Sequence, residues 1–219
     1  MVTYEQIKQD ETVRALIAQA DKALGALGYT EHNLAHVGLV AENARYILET
    51  LGYSQREVEL AQIAAHLHDI GNLVNRDGHS QSGALMAFQI LFGLGMETED
   101  LACVVSAIGN HDEGTGVAIT PVAAAVILAD KTDVRRTRVR NTDVSSFDIH
   151  DRVNYSARKS LVKINEEHSL IKLKLTVDTK YGSVMDYFEI FLGRMILCRK
   201  AAQRLGLEFK LIINEQQLI

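Results

Sequence analysis

The sequence contains few cysteines, and they do not form a pair that could bind metal. Cys103 and Cys198 lie far apart in the chain, and neither belongs to a CxxC motif. A disulfide framework and a thiolate zinc site therefore have no support. We expect both cysteines to behave as small, buried apolar side chains.

Long hydrophobic runs are also absent. The longest, residues 122–129, is far shorter than the roughly 20 residues that span a bilayer. Residues 1–11 are acidic and polar, where a secretory signal would be basic and then apolar. Since 47% of residues are hydrophobic and 23% are charged, the composition is that of a soluble globular protein. We expect a cytoplasmic protein without membrane contacts.

The chain has no surplus of positive charge. Its 23 Lys and Arg residues are outnumbered by 28 Asp and Glu residues, which gives a net charge of −5. Non-specific binding to nucleic acid needs a basic face, so this class of partner is disfavoured. Small anionic substrates remain compatible with the charge, because a metal-containing pocket supplies its own positive charge.

The single proline belongs to a sequence that is helical up to about residue 140. Thr120 followed by Pro121 is typical of a helix start, and Ser54 with Glu57 forms a capping box. Apolar residues recur at three and four positions throughout this part. The pattern predicts helices at about 7–27, 30–51, 54–71, 80–93, 98–110 and 121–136.

After residue 140 the apolar pattern changes to period two. It predicts a hairpin that turns near residues 166–169, a helix from Ser183 to Gly206, and a strand at 209–213. The predicted fold is mainly α, a helical bundle of residues 1–140 with a small α+β (β-β-α-β) appendage of residues 141–219. The apolar stripe of residues 187–195 is interpreted as core or subunit interface, and a sheet edge would suit a homodimer.

Side chains that can ligate a metal fall one or two to each predicted helix of the first part. They are His36, His68 with Asp69, His79, His111 with Asp112, and Asp130. A single histidine in a helix is usually a packing or surface residue, so only the joint pattern carries weight. Helical bundles do build metal sites from facing helices in this way.

Three stretches of the sequence resemble the HD superfamily of metal-dependent phosphohydrolases. They read HNLAHVGLVAENA around His36, AAHLHDIGN around His68 and Asp69, and VILADKTDVRR around Asp130, and the resemblance spans residues 30–136. It implies an HD-type helical bundle in which these four residues ligate one divalent ion.

In some subfamilies additional histidines bind a second ion. His79 and His111 fit that pattern, with Asp69 bridging the two ions. Asp112 departs from the pattern of the members related to cyclic-dinucleotide phosphodiesterases, which have a second His there. Imidazole and carboxylate ligands suit Fe, Mn, Ni, Co, Zn or Mg and do not choose among them, so one or two ions of these metals are expected.

Several further residues are predicted to act on a phosphorylated substrate. Asp69, His111, Asp112 and Lys131 are the candidate catalytic residues, and the candidate phosphate contacts are Lys131, Arg135, Arg136, Asn72 and His32. Asn72 stands where many relatives carry Lys. His32 and Asp112 could instead be solvent-exposed. His66 is interpreted as structural, and His150 and His168 as uninvolved in catalysis.

The predicted function is hydrolysis, by metal-activated water, of a nucleotide-like phosphomonoester, phosphodiester or phosphoanhydride. An alternative is a non-catalytic HD-like regulatory domain that binds a nucleotide or metal. A third hypothesis is a di-iron oxygenase, since mixed His and carboxylate iron sites also activate dioxygen. The sequence does not identify the substrate, the metal or the oligomeric state.

Overall fold

Helices make up most of this protein, and a small sheet follows them near its C-terminal end. A computed structural model describes residues 1–218. Its helices are α1 (Tyr4–Gln9), α2 (Glu11–Ala26), α3 (Leu34–Thr50), α4 (Gln55–Leu67), α5 (His79–Gly93), α6 (Thr98–Gly109), α7 (Pro121–Lys131), α8 (Ile149–Ser156) and α9 (Val184–Arg204). The strands, in sheet order, are β1 (Ala157–Ile164), β2 (Leu170–Val177), β3 (Glu208–Ile213) and β4 (Gln216–Gln217). The predicted fold class, mainly α with a small α+β region after it, is confirmed.

Side-chain caps fix where the helices begin. Ser54 accepts a hydrogen bond from the Glu57 amide, and the Glu57 carboxylate accepts one from the Ser54 amide at 3.0 Å. Ser183 forms the same box at the start of α9, and Thr120 caps α7 just before its proline. Each cap satisfies amides that the first helical turn leaves unpaired, and stabilises the helix by about 1 kcal/mol.

Helix α7 forms the centre of the bundle. Residues 122–129 are all buried, and the helix packs against α3, α4, α6 and α9. A helix that is apolar on every side is stable only when it is surrounded in this way. It ends at Lys131, before the predicted end at 136, because the Thr132 hydroxyl donates to the Leu128 carbonyl oxygen and competes with the helical amide.

The C-terminal sheet packs through α9 onto the helical bundle. Strands β1 and β2 form an antiparallel hairpin, β2 and β3 pair in parallel, and α9 connects them. On α9, Tyr187, Phe191 and Met195 are buried, so the predicted apolar stripe lies in the core. The core is continuous across residue 140, and the proposed domain boundary there stays a prediction. Cys198 is buried, whereas Cys103 is half-buried.

Helix α8 is an element that the sequence pattern does not predict. Asp148 caps it by accepting from the Asp151 amide at 2.8 Å, yet only Val153, Asn154 and Ser156 of the helix are buried. With so few apolar positions its periodicity is weak. The helix matters because it forms part of the wall of the main pocket.

Within residues 1–218, no helix combines the length and the apolar character needed to cross a membrane.

Candidate metal centre

The ends of five helices bring the candidate metal ligands to one place inside the bundle. These residues are His36 in the first turn of α3, His68 and Asp69 just after α4, His79 at the start of α5, His111 after α6, and Asp130 in the last turn of α7. The histidines and Asp69 are buried, and the Asp130 carboxylate is 11% exposed. The bundle therefore encloses an acidic and imidazole-rich centre.

One group of ligand atoms surrounds the Oδ2 side of Asp69. The Nε2 atom of His36 lies 3.6 Å from Asp69 Oδ2 and 3.5 Å from Asp130 Oδ1. The Nε2 atom of His68 lies 3.1 Å from Asp69 Oδ2 and 3.6 Å from Asp130 Oδ1. Ligand atoms of His36, His68 and Asp130 all lie within 4.8 Å of one another, which is close enough for one ion to contact all three.

A second group lies on the Oδ1 side of the same carboxylate. Asp69 Oδ1 is 3.6 Å from His79 Nε2 and 4.0 Å from His111 Nε2, and these two nitrogens are 3.1 Å apart. Asp112 Oδ1 approaches His79 Nε2 to 3.9 Å. Asp69 thus presents one oxygen to each group of imidazoles, as a carboxylate that bridges two ions would.

Hydrogen bonds from Nδ1 fix the histidine rings of this centre. Four Nδ1 atoms face backbone carbonyl oxygens: His32 with Thr30 at 2.7 Å, His68 with Ala65 at 2.7 Å, His79 with Arg76 at 3.0 Å and His111 with Ile108 at 2.7 Å. A carbonyl only accepts, so in each ring Nδ1 carries the hydrogen. The Nε2 atom is then the one that faces Asp69, as metal-binding histidines require.

The charges and unpaired atoms of this centre fit a divalent cation. Among residues 1–218, the buried Nε2 atoms of His36 and His68 have no hydrogen-bond partner, although an unpaired buried polar atom is costly. Burial acts to raise the pKa of both carboxyl groups. The neighbouring His68 nevertheless holds the pKa of Asp69 well below the usual range, and Lys131 does the same for Asp130. Two ionised carboxylates and imidazole nitrogens are a donor set suited to transition metals.

Asp133 is a positioning residue that the sequence did not reveal. Its buried Oδ2 accepts from His36 Nδ1 at 2.8 Å, and its Oδ1 accepts from Arg135 Nε at 2.5 Å. Burial acts to raise the pKa of Asp133, but His36 and Arg135 lower it well below the usual range. An ionised carboxylate therefore fixes the ring of a candidate ligand from behind.

Asp133→Asn is expected to weaken metal binding by about 10–100-fold, the usual cost of losing a partner behind a ligating histidine. The substitution keeps the shape of the side chain and removes its charge. Metal affinity, measured by titration of the apoprotein, tests this expectation. Asp77→Asn makes the same chemical change at an exposed position and should leave the affinity unchanged; equal affinities in both variants would contradict the role of Asp133.

Three predicted phosphate contacts have other partners in the structure. Arg135 pairs with Asp133, while Arg136 lies 4.3 Å over the Tyr155 ring and donates to the Tyr155 carbonyl oxygen. Asn72 Nδ2 donates to the Asp69 carboxylate at 2.9 Å, so this buried amide orients Asp69. None of the three lines the main pocket, because local ion pairs and hydrogen bonds direct them elsewhere.

His32 and Lys131, by contrast, do reach the pocket. His32 Nε2 lies 4.0 Å from Asp69 Oδ2. Burial holds the pKa of His32 well below its usual range, so the ring is neutral and presents a lone pair to the centre. The buried Lys131 Nζ lies 2.8 Å from Asp130 Oδ2 and 2.7 Å from Glu113 Oε2. Its ammonium is the predicted phosphate contact that is closest to the candidate ligands.

The pocket, of about 430 Å³, opens directly onto this centre. Its wall also includes Arg76, Glu113, Arg138, Asn154 and Arg194. The sequence pattern assigns no role to Arg76, Asn154 or Arg194. His150, which was expected to be uninvolved, lies in the same wall. For Arg194 a signal was present, since it is the one basic residue within the apolar stripe of residues 187–195. His66 is buried against Tyr4, in keeping with a structural role.

Comparisons with known proteins give one family and two relatives. Residues 33–135 match the HD domain family. The chain is 28% identical over 206 residues to the uncharacterized protein MJ1020 of Methanocaldococcus jannaschii, covering 82% of this chain and 77% of that protein. It is also similar to the crystal structure, at 1.45 Å resolution, of a predicted HD superfamily hydrolase from an uncultured Thermotogales bacterium, with a TM-score of 0.45 and 24% identity, covering 57% of this chain and 67% of the other.

Proposed function

This chain is an HD domain protein, with the domain at residues 33–135, and from that premise we propose that it is a metal-dependent phosphohydrolase. The observation that carries the proposal is the convergence of His36, His68, Asp69 and Asp130 in one buried centre that opens into a pocket. HD domains bind divalent metals, and the donor atoms here fit such an ion.

The two groups of donor atoms assign the residues that would hold metal. His36, His68, Asp69 and Asp130 would hold one ion, and Asp69 with His79 and His111 would hold a second. A bound ion of this kind lowers the pKa of water toward neutrality and offsets the charge of a phosphoryl group. The ligand types are compatible with Fe, Mn, Ni, Co, Zn or Mg.

The chain itself supplies groups that bind the substrate and move protons. Burial lowers the pKa of Lys131, but Asp130 and Glu113 outweigh it and raise the value, so the ammonium stays charged beside the centre. It would bind a phosphoryl oxygen. Asp112 lies 3.9 Å from both Lys131 Nζ and His79 Nε2, and its side chain is 27% exposed. This position would allow it to pass a proton between the leaving group and solvent.

The pocket favours a small, nucleotide-like substrate. Its volume of about 430 Å³ lies within the range of small-molecule sites, roughly 300–1,000 Å³. Tyr29 provides aromatic surface in the wall, and Asn154 provides an amide. Such a combination can accept a ring system with polar edges. The net charge of −5 does not favour nucleic acid as the partner.

The proposal is tested by release of inorganic phosphate or nucleotide product from a substrate panel. The panel contains nucleoside mono-, di- and triphosphates, dinucleoside polyphosphates and cyclic dinucleotides, assayed with Mn or Fe and with chelator. Turnover of one class that disappears with chelator would support a hydrolase and name its substrate group. If the protein binds metal but turns over no member of the panel, the proposal fails. That result would favour a regulatory domain or an oxygenase instead.

A further inference from the structure

An arginine from the C-terminal part of the chain enters the pocket beside the candidate metal centre. Arg194 lies on α9 between the buried residues Phe191 and Met195, and its side chain is 25% exposed. Its guanidinium lies 4.5 Å over the Phe191 ring. A charged group in an apolar stripe carries a desolvation cost that core packing alone would not require, so its position in the pocket wall calls for a functional explanation.

Arg194 and Lys131 share one carboxylate partner. Arg194 Nε donates to Glu113 Oε1 at 3.0 Å, and Lys131 Nζ lies 2.7 Å from Glu113 Oε2. The Glu113 carboxylate thus spans a guanidinium and an ammonium with its two oxygens. Two oxygens of a phosphate could span the same pair of cations.

The two other arginines of this wall have other partners. Arg76 donates to the side-chain amide oxygen of Asn72 at 3.2 Å. Arg138 donates to the carbonyl oxygens of Glu31 at 2.9 Å and of Asp133 at 2.7 Å, which hold its guanidinium against the backbone. Within residues 1–218, by contrast, Lys131 and Arg194 have only carboxylates as charged partners. Glu113 belongs to the irregular connection between α6 and α7. An anion that entered the pocket would therefore compete with Glu113 for these two cations.

We propose that Lys131 and Arg194 form a binding subsite for a terminal phosphoryl group, and that Glu113 occupies this subsite until the substrate enters. The inference rests on the proposed function. A terminal phosphoryl group presents three free oxygens and a diester presents two. The metal would bind some of these phosphoryl oxygens, and Lys131 and Arg194 would bind the others. Such a site selects phosphomonoesters, or the terminal phosphate of an anhydride, over phosphodiesters.

Binding of inorganic phosphate to the metal-loaded protein tests this subsite directly. Titration calorimetry should show that Arg194→Gln weakens phosphate binding by about 10–100-fold, the usual worth of a charge-assisted hydrogen bond. Glu113→Gln should strengthen it several-fold, because the competing anion is gone. Arg199→Gln, an exposed position on the same helix, should bind phosphate as the wild type does. Metal content is measured in parallel and should be equal in all variants.

Turnover assays distinguish this inference from the proposed function. In Arg194→Gln, KM should rise for p-nitrophenyl phosphate and stay unchanged for bis(p-nitrophenyl) phosphate. Unaltered phosphate affinity in Arg194→Gln would overturn the subsite even if the enzyme is active. Weaker phosphate binding in Glu113→Gln would contradict the proposal that Glu113 occupies the subsite before the substrate enters. Lost phosphate affinity in a protein that hydrolyses nothing would support the subsite and reject the hydrolase. If Arg194→Gln does not fold, Arg194→Lys serves instead. We expect it to lose less phosphate affinity, and an unchanged phosphate affinity would contradict the subsite.

Discussion

Replacing Asp69 by alanine is expected to abolish metal retention and any hydrolysis while leaving the helical content largely intact. The two oxygens of the Asp69 carboxylate face both groups of imidazoles, at 3.1 and 3.6 Å on one side and 3.6 and 4.0 Å on the other. The loss should therefore exceed the roughly 10–100-fold that removal of an outer partner costs. The carboxylate lies among polar ligand side chains and Asn72, so its removal takes away no apolar packing of the core.

Elemental analysis after dialysis measures the metal content, and far-UV circular dichroism measures the helices. Asp69→Asn is a useful second variant, since it keeps the size of the side chain and removes the charge that attracts a cation. Asp77→Ala, at an exposed site, is the matched control and should keep its metal. If Asp69→Ala retained full metal content and full activity, the interpretation of this cluster as a metal centre would be wrong.

Gly71→Ala is expected to lower the free energy of unfolding by about 3 kcal/mol, at the upper end of the usual cost of overpacking. A Cβ atom on Gly71 would lie 2.0 Å from the His79 carbonyl oxygen and 2.4 Å from the Gly83 amide nitrogen. Both are backbone atoms of α5, which cannot turn aside as a flexible side chain can. The added methyl must push α5 away from the turn that follows Asp69.

The same displacement should disturb the second group of ligands more than the first. His79 is the first residue of α5, so movement of the helix separates it from Asp69, whereas His36 and Asp130 lie on other helices. For a chain of this size, 3 kcal/mol corresponds to a fall in Tm of about 6–12 °C. Thermal unfolding and metal stoichiometry together test the expectation.

Gly38→Ala provides the control for this substitution. Gly38 lies within α3, and a Cβ there would meet nothing within 4 Å. Alanine favours helix over glycine by up to about 1 kcal/mol, so this variant should be as stable as the wild type or more stable. If Gly71→Ala had the same Tm as Gly38→Ala, the contact with α5 would tolerate the added methyl, contrary to our expectation.

Local patterns account for the parts of the fold that the sequence predicted. Capping boxes at Ser54 and Ser183 and the alternation along β2 depend on residues a few positions apart, so they can be read without tertiary information. Helix α8 and the early end of α7 could not be predicted in this way. The first has a weak apolar pattern, and the second depends on a hydroxyl of Thr132 that could equally have faced solvent.

The same distinction between local patterns and tertiary contacts applies to the candidate site. The ligand candidates belong to recognisable stretches, and the structure brings these residues together. Asp133 does not stand out in the sequence, and Arg194 stands out as a basic residue in an apolar stripe but without an evident role. Their roles arise from partners 97 and 81 positions away. Conversely, Arg135 and Asn72 resembled phosphate contacts by position, but near neighbours engage them. Sequence patterns reveal which residue types are available, whereas competition among partners decides what each one does.

The contacts between distant parts of the chain also set the order in which the pocket can be assembled. Arg138 meets Glu31 across 107 positions, and the Tyr46 hydroxyl meets the Ile164 amide across 118. Closing such long loops is slow compared with forming a helix, so we expect the pocket wall to form after the bundle has associated. On the ribosome α9 emerges after α7. Until it docks, one side of α7 lacks its cover, and the nascent chain presents an apolar surface that chaperones can recognise.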